Sequence, residues 1–329
     1  MSLVYQVLRN AAASAAWAAS RALLRLLPAQ ALRAFLTECA RNRSATDRAG
    51  FHVRRAGFWE PLPDFSALAL RDFESPRWGH GLDWRNEAQS SLLGRIAARA
   101  LELDTLESDA APFLFDNGYY GGADAAALYL LLREIKPRRL VEVGSGYSTL
   151  VAQAALRRNA REGVPPAEHV CIEPFPNKRT AGILGGVRFV RVAAEDAPEE
   201  LFLGIEAGDI LFVDSSHTVR IFGDVTRLFL DILPRLPEGV WVHVHDVFLP
   251  WDYPREWAVG RRYVWTEQYL LEAFLSGNPG WEIALAMNRL HRAAGTPLRG
   301  AGLRDGIGHV PSAFWMRRRG SGDEGGGAD

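Results

Sequence analysis

Residues 139–149 read Arg-Leu-Val-Glu-Val-Gly-Ser-Gly-Tyr-Ser-Thr. An apolar run carrying an acid at Glu142 passes into a glycine turn, Gly144-Ser145-Gly146, and residues 149–156 then read as a helix. Glycine suits such a turn for two reasons. A Cβ would keep the backbone away from a ligand, and a tight strand-to-helix turn often needs positive φ. The stretch therefore reads as a nucleotide-cofactor loop. It fits the dinucleotide fingerprint Gly-x-Gly-x-x-Gly poorly, because the third glycine falls on Thr149 and an acid stands where the strand is normally apolar.

Working outward, residues 169–173 form a second short apolar strand that ends in Glu173, 27 residues after Gly146. That is near the offset at which a carboxylate accepts two hydrogen bonds from a ribose diol. The alternative is a surface glutamate before the turn Pro174-Phe175-Pro176. Residues 187–192 read as a third strand leading to Ala194-Glu195-Asp196. The fourth, 209–214, is a hydrophobic run that breaks into Asp214, Ser215, Ser216 and His217 just past its C-terminal end, the edge at which open α/β sheets bind ligands. The fifth, 240–246, carries His243, His245 and Asp246, and strict alternation puts the two imidazoles on one face and Asp246 on the other. If strands four and five are neighbours, Asp214, His217, His245 and Asp246 converge into a reaction centre. Residues 281–287 and 312–316 supply a sixth and seventh strand, which predicts a doubly wound, mostly parallel seven-stranded α/β sheet.

Glu142-Val-Gly-Ser-Gly resembles the first motif of the class I S-adenosylmethionine-dependent methyltransferases. The resemblance implies Glu142 near the cofactor's ammonium and Gly144, Ser145 and Gly146 beneath it. It also implies Glu173 on the ribose, with Glu195 or Asp196 near the adenine amine. Either of those last two acids could equally be a helix N-cap. The spacing Asp-x-x-His at Asp214 and His217, followed by Asp246, is similar to the metal-dependent sugar O-methyltransferases of macrolide biosynthesis. This second likeness implies His217 as general base and Asp214, His245 and Asp246 around magnesium (Mg2+) or another divalent ion. The departure is His245, where that group carries a carboxylate; imidazole is a poorer magnesium ligand. His243 reads as a packed strand residue. Residues 51–53, 61–64, 81–84, 116–124 and 136–149 together resemble a bacterial branch of uncharacterised class I methyltransferases, over about residues 50 to 290. Within 116–124, Asp124 is expected to cap a helix over 125–135, and Tyr119, Tyr120 and the glycines to form a flexible edge near the cofactor.

The implied reaction is methyl transfer from S-adenosyl-L-methionine to a small-molecule hydroxyl, sugar-like or secondary-metabolite-like, with nitrogen acceptors open. One rival is a cephalosporin-hydroxylase-like metal-dependent enzyme on the same sheet. The other is a cofactor-binding partner protein without catalysis, which would have no need of Asp214 and His217. Residues 248–257, proline-broken and aromatic, precede a helix over 265–275. They suit a lid in which Trp251, Tyr253 and Trp257 stack on substrate, or a loop packed on the sheet by those rings.

The chain has 329 residues with 38 basic and 39 acidic side chains, so no nucleic-acid-binding stripe is expected. Cys39 and Cys171 lack metal-type spacing and read as buried thiols of a reducing, cytoplasmic compartment. The expected organisation is an N-terminal amphipathic helix in 1–50, a helical and loop accessory segment in 51–115, the cofactor domain in 116–318 and a disordered tail in 319–329. Helix propensity is high over 3–38. The first 50 residues hold seven arginines against Glu38 and Asp47, and Arg21 and Arg25 interrupt any secretory core. That helix is read as a self-association or cap helix, with peripheral membrane contact and organellar targeting as the alternatives.

Overall fold

The computed structural model describes residues 25–54, 57–176 and 185–320, and the chain divides into two compact units, 1–68 and 69–329. The start of the expected N-terminal helix and the tail beyond 320 lie outside the described residues. The first unit contains α1 (Ala29–Arg41) and α2 (Arg43–Arg48), neither of which buries a residue. Among the described residues no helix is long and apolar enough to cross a membrane.

In the second unit seven strands form one sheet: β1 (Arg139–Val143), β2 (Glu168–Ile172), β3 (Val187–Val190), β4 (Ile210–Val213), β5 (Trp241–Val244), β6 (Trp281–Ala286) and β7 (Phe314–Arg318). Their order is β3-β2-β1-β4-β5-β7-β6. Every pairing is parallel except those of β7, which runs antiparallel between β5 and β6. This is the doubly wound, mostly parallel sheet that the seven runs predict. Each run has two covered faces, so successive residues serve opposite cores. Leu140, Ile210, Phe212 and Trp315 join α3 (Asn86–Ala97), α4 (Gly122–Ile135) and α5 (Tyr147–Arg161) on one side. Val141, Val143, Leu211, Val213, Val242 and Val244 join α6 (Glu267–Leu275) and the helical segments from 200 to 235 on the other. At about 1.5–3 kcal/mol for each fully buried aliphatic side chain, these two layers are the main stabilising term.

The helix after β1 begins at Tyr147, earlier than the pattern suggested, because the Thr149 hydroxyl accepts the Gly146 N–H at 2.9 Å and closes the first turn. Likewise α4 begins at Gly122, which places Asp124 inside the helix instead of at its cap. The Asp124 carboxylate is instead spent on the entry to β7, accepting from the N–H groups of Ser312 (2.8 Å) and Ala313 (3.1 Å). Tyr120 is no flexible edge: it is 3% exposed and packs on Phe212 and His245.

Candidate active site

The turn after β1 explains its own glycines unequally. Gly144 sits at φ +96°, and a Cβ there would collide with the Asp214 carbonyl oxygen. Gly146 is extended, and a Cβ on it would meet open space. The first glycine is thus required by backbone geometry; the second leaves room for a ligand. The Ser145 hydroxyl is buried there without a hydrogen-bond partner.

In front of the turn lies a cleft of about 360 Å³ lined by Val143, Gly144, Glu173, Glu195, Asp214 and Asp224, among others. It opens past the C-terminal ends of β1, β2 and β4, because all three strands run the same way and end at the same level. Glu173 points one carboxylate oxygen at the Phe175 N–H, 2.7 Å away. Glu195 lies in the lining, while Asp196 is exposed outside it. Neither acid caps the next helix, which begins at Glu200 after Glu199.

Glu142 lies outside that lining. It is 2% exposed, and its carboxylate is engaged by the Ser148 hydroxyl (2.6 Å), His169 Nε2 (2.9 Å) and the Cys171 thiol (3.2 Å). Gln153 donates to Nδ1 of His169 and so fixes the ring with its Nε2 proton toward Glu142. Burial first, and then the Glu142 charge, push the Cys171 thiol far up, so it stays a neutral donor. Glu142 therefore ties the helix after the turn to β2 through these contacts and stands behind the cleft lining instead of in it.

Past the ends of β4 and β5 the acids and imidazoles meet. His217 Nε2 lies 3.3 Å from Asp214 Oδ1 and 3.5 Å from Asp246 Oδ2, and His217 Nδ1 lies 2.9 Å from Glu267 Oε2. Backbone geometry makes this possible. His217 is at φ 56° and Asp246 at φ 57°. The left-handed turn at Asp246 breaks the strand alternation that would have sent it to the opposite face, and its Oδ1 comes within 3.6 Å of His245 Nε2. The N-terminus of α6 grips His217 as well: Thr266 N–H and Glu267 N–H both donate to its carbonyl, at 2.8 and 3.1 Å.

Burial opposes charge on His217, but the hydrogen bonds to Asp214 and Glu267 and the charges of Glu267 and Asp246 outweigh it, holding the ring well above its ordinary pKa. Burial also works against the Asp214 charge, yet the surrounding imidazoles bring its pKa down to about 2. For Glu267 burial wins and raises its pKa. The resting centre is an imidazolium clasped by carboxylates.

The donor atoms of Asp214, His217 and Asp246 lie within 4.8 Å of one another. Of the set expected from the sequence, Asp214 and Asp246 group with His217, while His245, 3.6 Å from Asp246 Oδ1, groups with Asp124 and His309. Asp214 and Asp246 are the oxygens that would hold magnesium, an ion that commonly takes one or two carboxylates and keeps its waters. His243 is fully buried between Phe212 and Trp315, ring centroids 4.0 and 4.8 Å away, with neither nitrogen hydrogen-bonded.

The aromatic loop packs on itself. Tyr253 is 3% exposed, Trp257 is edge-on to Phe248 and Trp265, and Trp251 Nε1 donates to the Glu74 carbonyl. Of these rings Trp265 approaches the centre, 4.5 Å from the His217 ring, and it was not singled out in the sequence. Glu267 was missed too. It lies 50 residues after His217 at the head of a helix, and no local pattern links the two.

Residues 141–247 match the family model described as a methyltransferase domain. Over this stretch the chain is similar to a methyltransferase domain. The matched third of the chain holds the glycine turn, Glu173, Glu195, Asp214, His217 and Asp246, whereas Asp124, Glu267 and His309 lie outside it. An uncharacterized protein of Archaeoglobus fulgidus is 26% identical over 129 residues, 36% of this chain and 57% of that protein, so the chain matches little more than half the length of this relative. Among solved structures, a Podospora anserina methyltransferase bound to S-adenosylhomocysteine is similar at 20% identity and TM-score 0.36, over 60% of this chain and 78% of that one. The O-methyltransferase of Bacillus cereus, also with S-adenosylhomocysteine, is similar at 14% identity and TM-score 0.39, over 70% and 91%. TomG of Streptomyces achromogenes, an O-methyltransferase involved in tomaymycin synthesis, is similar at 20% identity and TM-score 0.37, over 70% and 90%.

Proposed function

We propose that this protein uses S-adenosylmethionine to methylate a small-molecule hydroxyl. The observation that carries the reading is the continuity of one cleft, from Gly144 of the turn and the Glu173 carboxylate to Asp214, whose carboxylate already belongs to the His217 centre. In this reading the cofactor lies along the turn with its ribose on Glu173 and its adenine toward Glu195. The acceptor hydroxyl faces His217.

Methyl transfer makes an oxygen–carbon bond, breaks the sulfonium–carbon bond and leaves the hydroxyl proton to be taken up. His217 Nε2 takes it once the resting imidazolium has released its own proton. Nδ1–H stays on Glu267, which keeps the ring in the tautomer a base needs. A magnesium ion on Asp214 and Asp246 would supply Lewis acidity toward the same hydroxyl. The reading also places the enzyme in the cytoplasm, where the free thiols Cys39 and Cys171 would persist, and gives α1 a role in self-association.

The test is calorimetry with S-adenosylmethionine, S-adenosylhomocysteine and NAD, followed by incubation with labelled cofactor and a metabolite extract read by mass spectrometry. Binding of the first two but not NAD, and label in a product hydroxyl, are expected. Glu173→Ala should weaken cofactor binding at least about tenfold, because charge-assisted hydrogen bonds are worth roughly 1.5–3 kcal/mol each. Unchanged affinity would remove the ribose assignment.

A further inference from the structure

Behind the reaction centre lies a second group of ligating side chains with no part in the chemistry described above. Asp124 comes from the first turn of α4, His245 from just past β5, and His309 from the segment entering β7. One donor atom from each lies within 4.8 Å of the other two. Asp124 is fully buried and His245 is 3% exposed. Nδ1 of His245 and both ring nitrogens of His309 are buried without a hydrogen-bond partner. The approach of His309 Nε2 to Asp124 Oδ2, 3.4 Å, is longer than a normal N–H···O bond.

The other imidazole groups among the described residues differ in kind. His169 is satisfied at both nitrogens by Gln153 and Glu142. His217 has a carboxylate at each nitrogen, and His243 is enclosed by aromatic rings. Among the described residues, only around Asp124 do two imidazoles with idle nitrogens converge on a carboxylate whose orientation is already fixed by two backbone N–H groups. A ligand held rigid by outer hydrogen bonds in this way is characteristic of metal sites. We propose that Asp124, His245 and His309 bind a divalent transition ion of the zinc class. Two imidazoles and one carboxylate match that class, whereas magnesium prefers oxygen alone. The Ser312 hydroxyl reaches Asp246 Oδ1 at 3.1 Å and Asp124 Oδ2 at 3.5 Å, so the ion lies one side chain away from the carboxylate that faces His217. Its role is to pin α4, the end of β5 and the entry to β7 together beneath the reaction centre.

The experiment uses the full-length protein stripped of metal, reconstituted with zinc for metal analysis and with cobalt(II) as a visible-absorbing probe. One equivalent of tightly held metal is expected, with X-ray absorption showing two imidazole ligands. His309 is partly exposed on a segment between helix and strand, so His309→Ala should fold, as circular dichroism will show, and should lower affinity on the order of tenfold or more. Asp214→Asn should leave the metal in place. Absence of stoichiometric metal, fewer than two imidazoles in the wild type, or loss of metal in Asp214→Asn with retention in His309→Ala would each overturn the assignment. None of these readouts depends on S-adenosylmethionine, so failure here is distinct from failure of the proposed activity.

Discussion

At the scale of single residues, the two glycines of the β1 turn predict different phenotypes. Gly144→Ala forces an L side chain to positive φ and drives its Cβ into the Asp214 carbonyl. It should cost about 2 kcal/mol or more in urea unfolding. Gly146→Ala meets neither obstacle and should unfold within about 0.5 kcal/mol of wild type, while losing affinity for the cofactor. Equal destabilisation of the two would contradict the geometry. A second residue-scale prediction concerns Arg133, fully buried and held by Glu102 (2.8 Å), Glu162 (2.6 Å) and the side-chain amide oxygen of Asn159. Glu102→Gln leaves Glu162 as the remaining carboxylate, so Arg133 stays paired and the cost should be about 1.5 kcal/mol. Burial raises the Glu102 pKa, but Arg133 and Arg158 outweigh it and lower the pKa below the ordinary 4.5. The carboxylate's contribution is therefore complete above that ordinary value and is lost as pH falls through the lowered one. Denaturation measured from pH 7 downward should show the gap between wild type and Glu102→Gln closing in acid.

At the scale of elements, α6 works through its N-terminus, clasping the His217 carbonyl by backbone and the ring by Glu267. Glu267→Gln keeps the size and the backbone clasp but replaces the acceptor-only carboxylate with a neutral amide, whose N–H can face Nδ1 and hold the ring in the wrong tautomer. Turnover is expected to fall on the order of 10²-fold with cofactor affinity unchanged, as for other groups that orient a catalytic histidine. Loss of cofactor binding instead would mean that the substitution had disturbed the cleft. The strands themselves were legible in the sequence, since Leu-Val-Glu-Val and Ile-Leu-Phe-Val are short apolar runs that end in acids and turns. Convergence of Asp214, His217 and Asp246 was legible as well, because parallel neighbours end at the same level. What could not be read was non-local. The left-handed turn at Asp246 reverses the face that alternation assigns, and Asp124 is diverted to Ser312 and Ala313, 188 and 189 positions away. Glu142 shows the same limit: its identity fits a ligand-binding motif, while the burial that occupies it comes from β2 and α5.

At the scale of the whole molecule, the described strands, both cores and the named residues of the cleft and the centre all belong to the unit from Ala69 onward. A truncated chain starting at Ala69 should unfold cooperatively and bind S-adenosylmethionine with wild-type affinity. The full chain should differ in light scattering, because α1 leaves Phe35 and Leu36 exposed at 59% and 44%. A truncated chain that stays as associated as the full one would assign self-association to the sheet-bearing unit.

The antiparallel strand β7 lies inside the sheet, with β5 on one side and β6 on the other. During synthesis this means that β6 emerges from the ribosome without its sheet neighbour: β7, which stands between it and β5, has not been made. A nascent chain halted before residue 314 would present Trp281–Ala286 as an open edge, ready to pair with whatever strand it meets. Premature stop codons in this last stretch should therefore yield aggregates instead of a trimmed but working enzyme, even though the cleft, His217 and Glu267 would all have been translated.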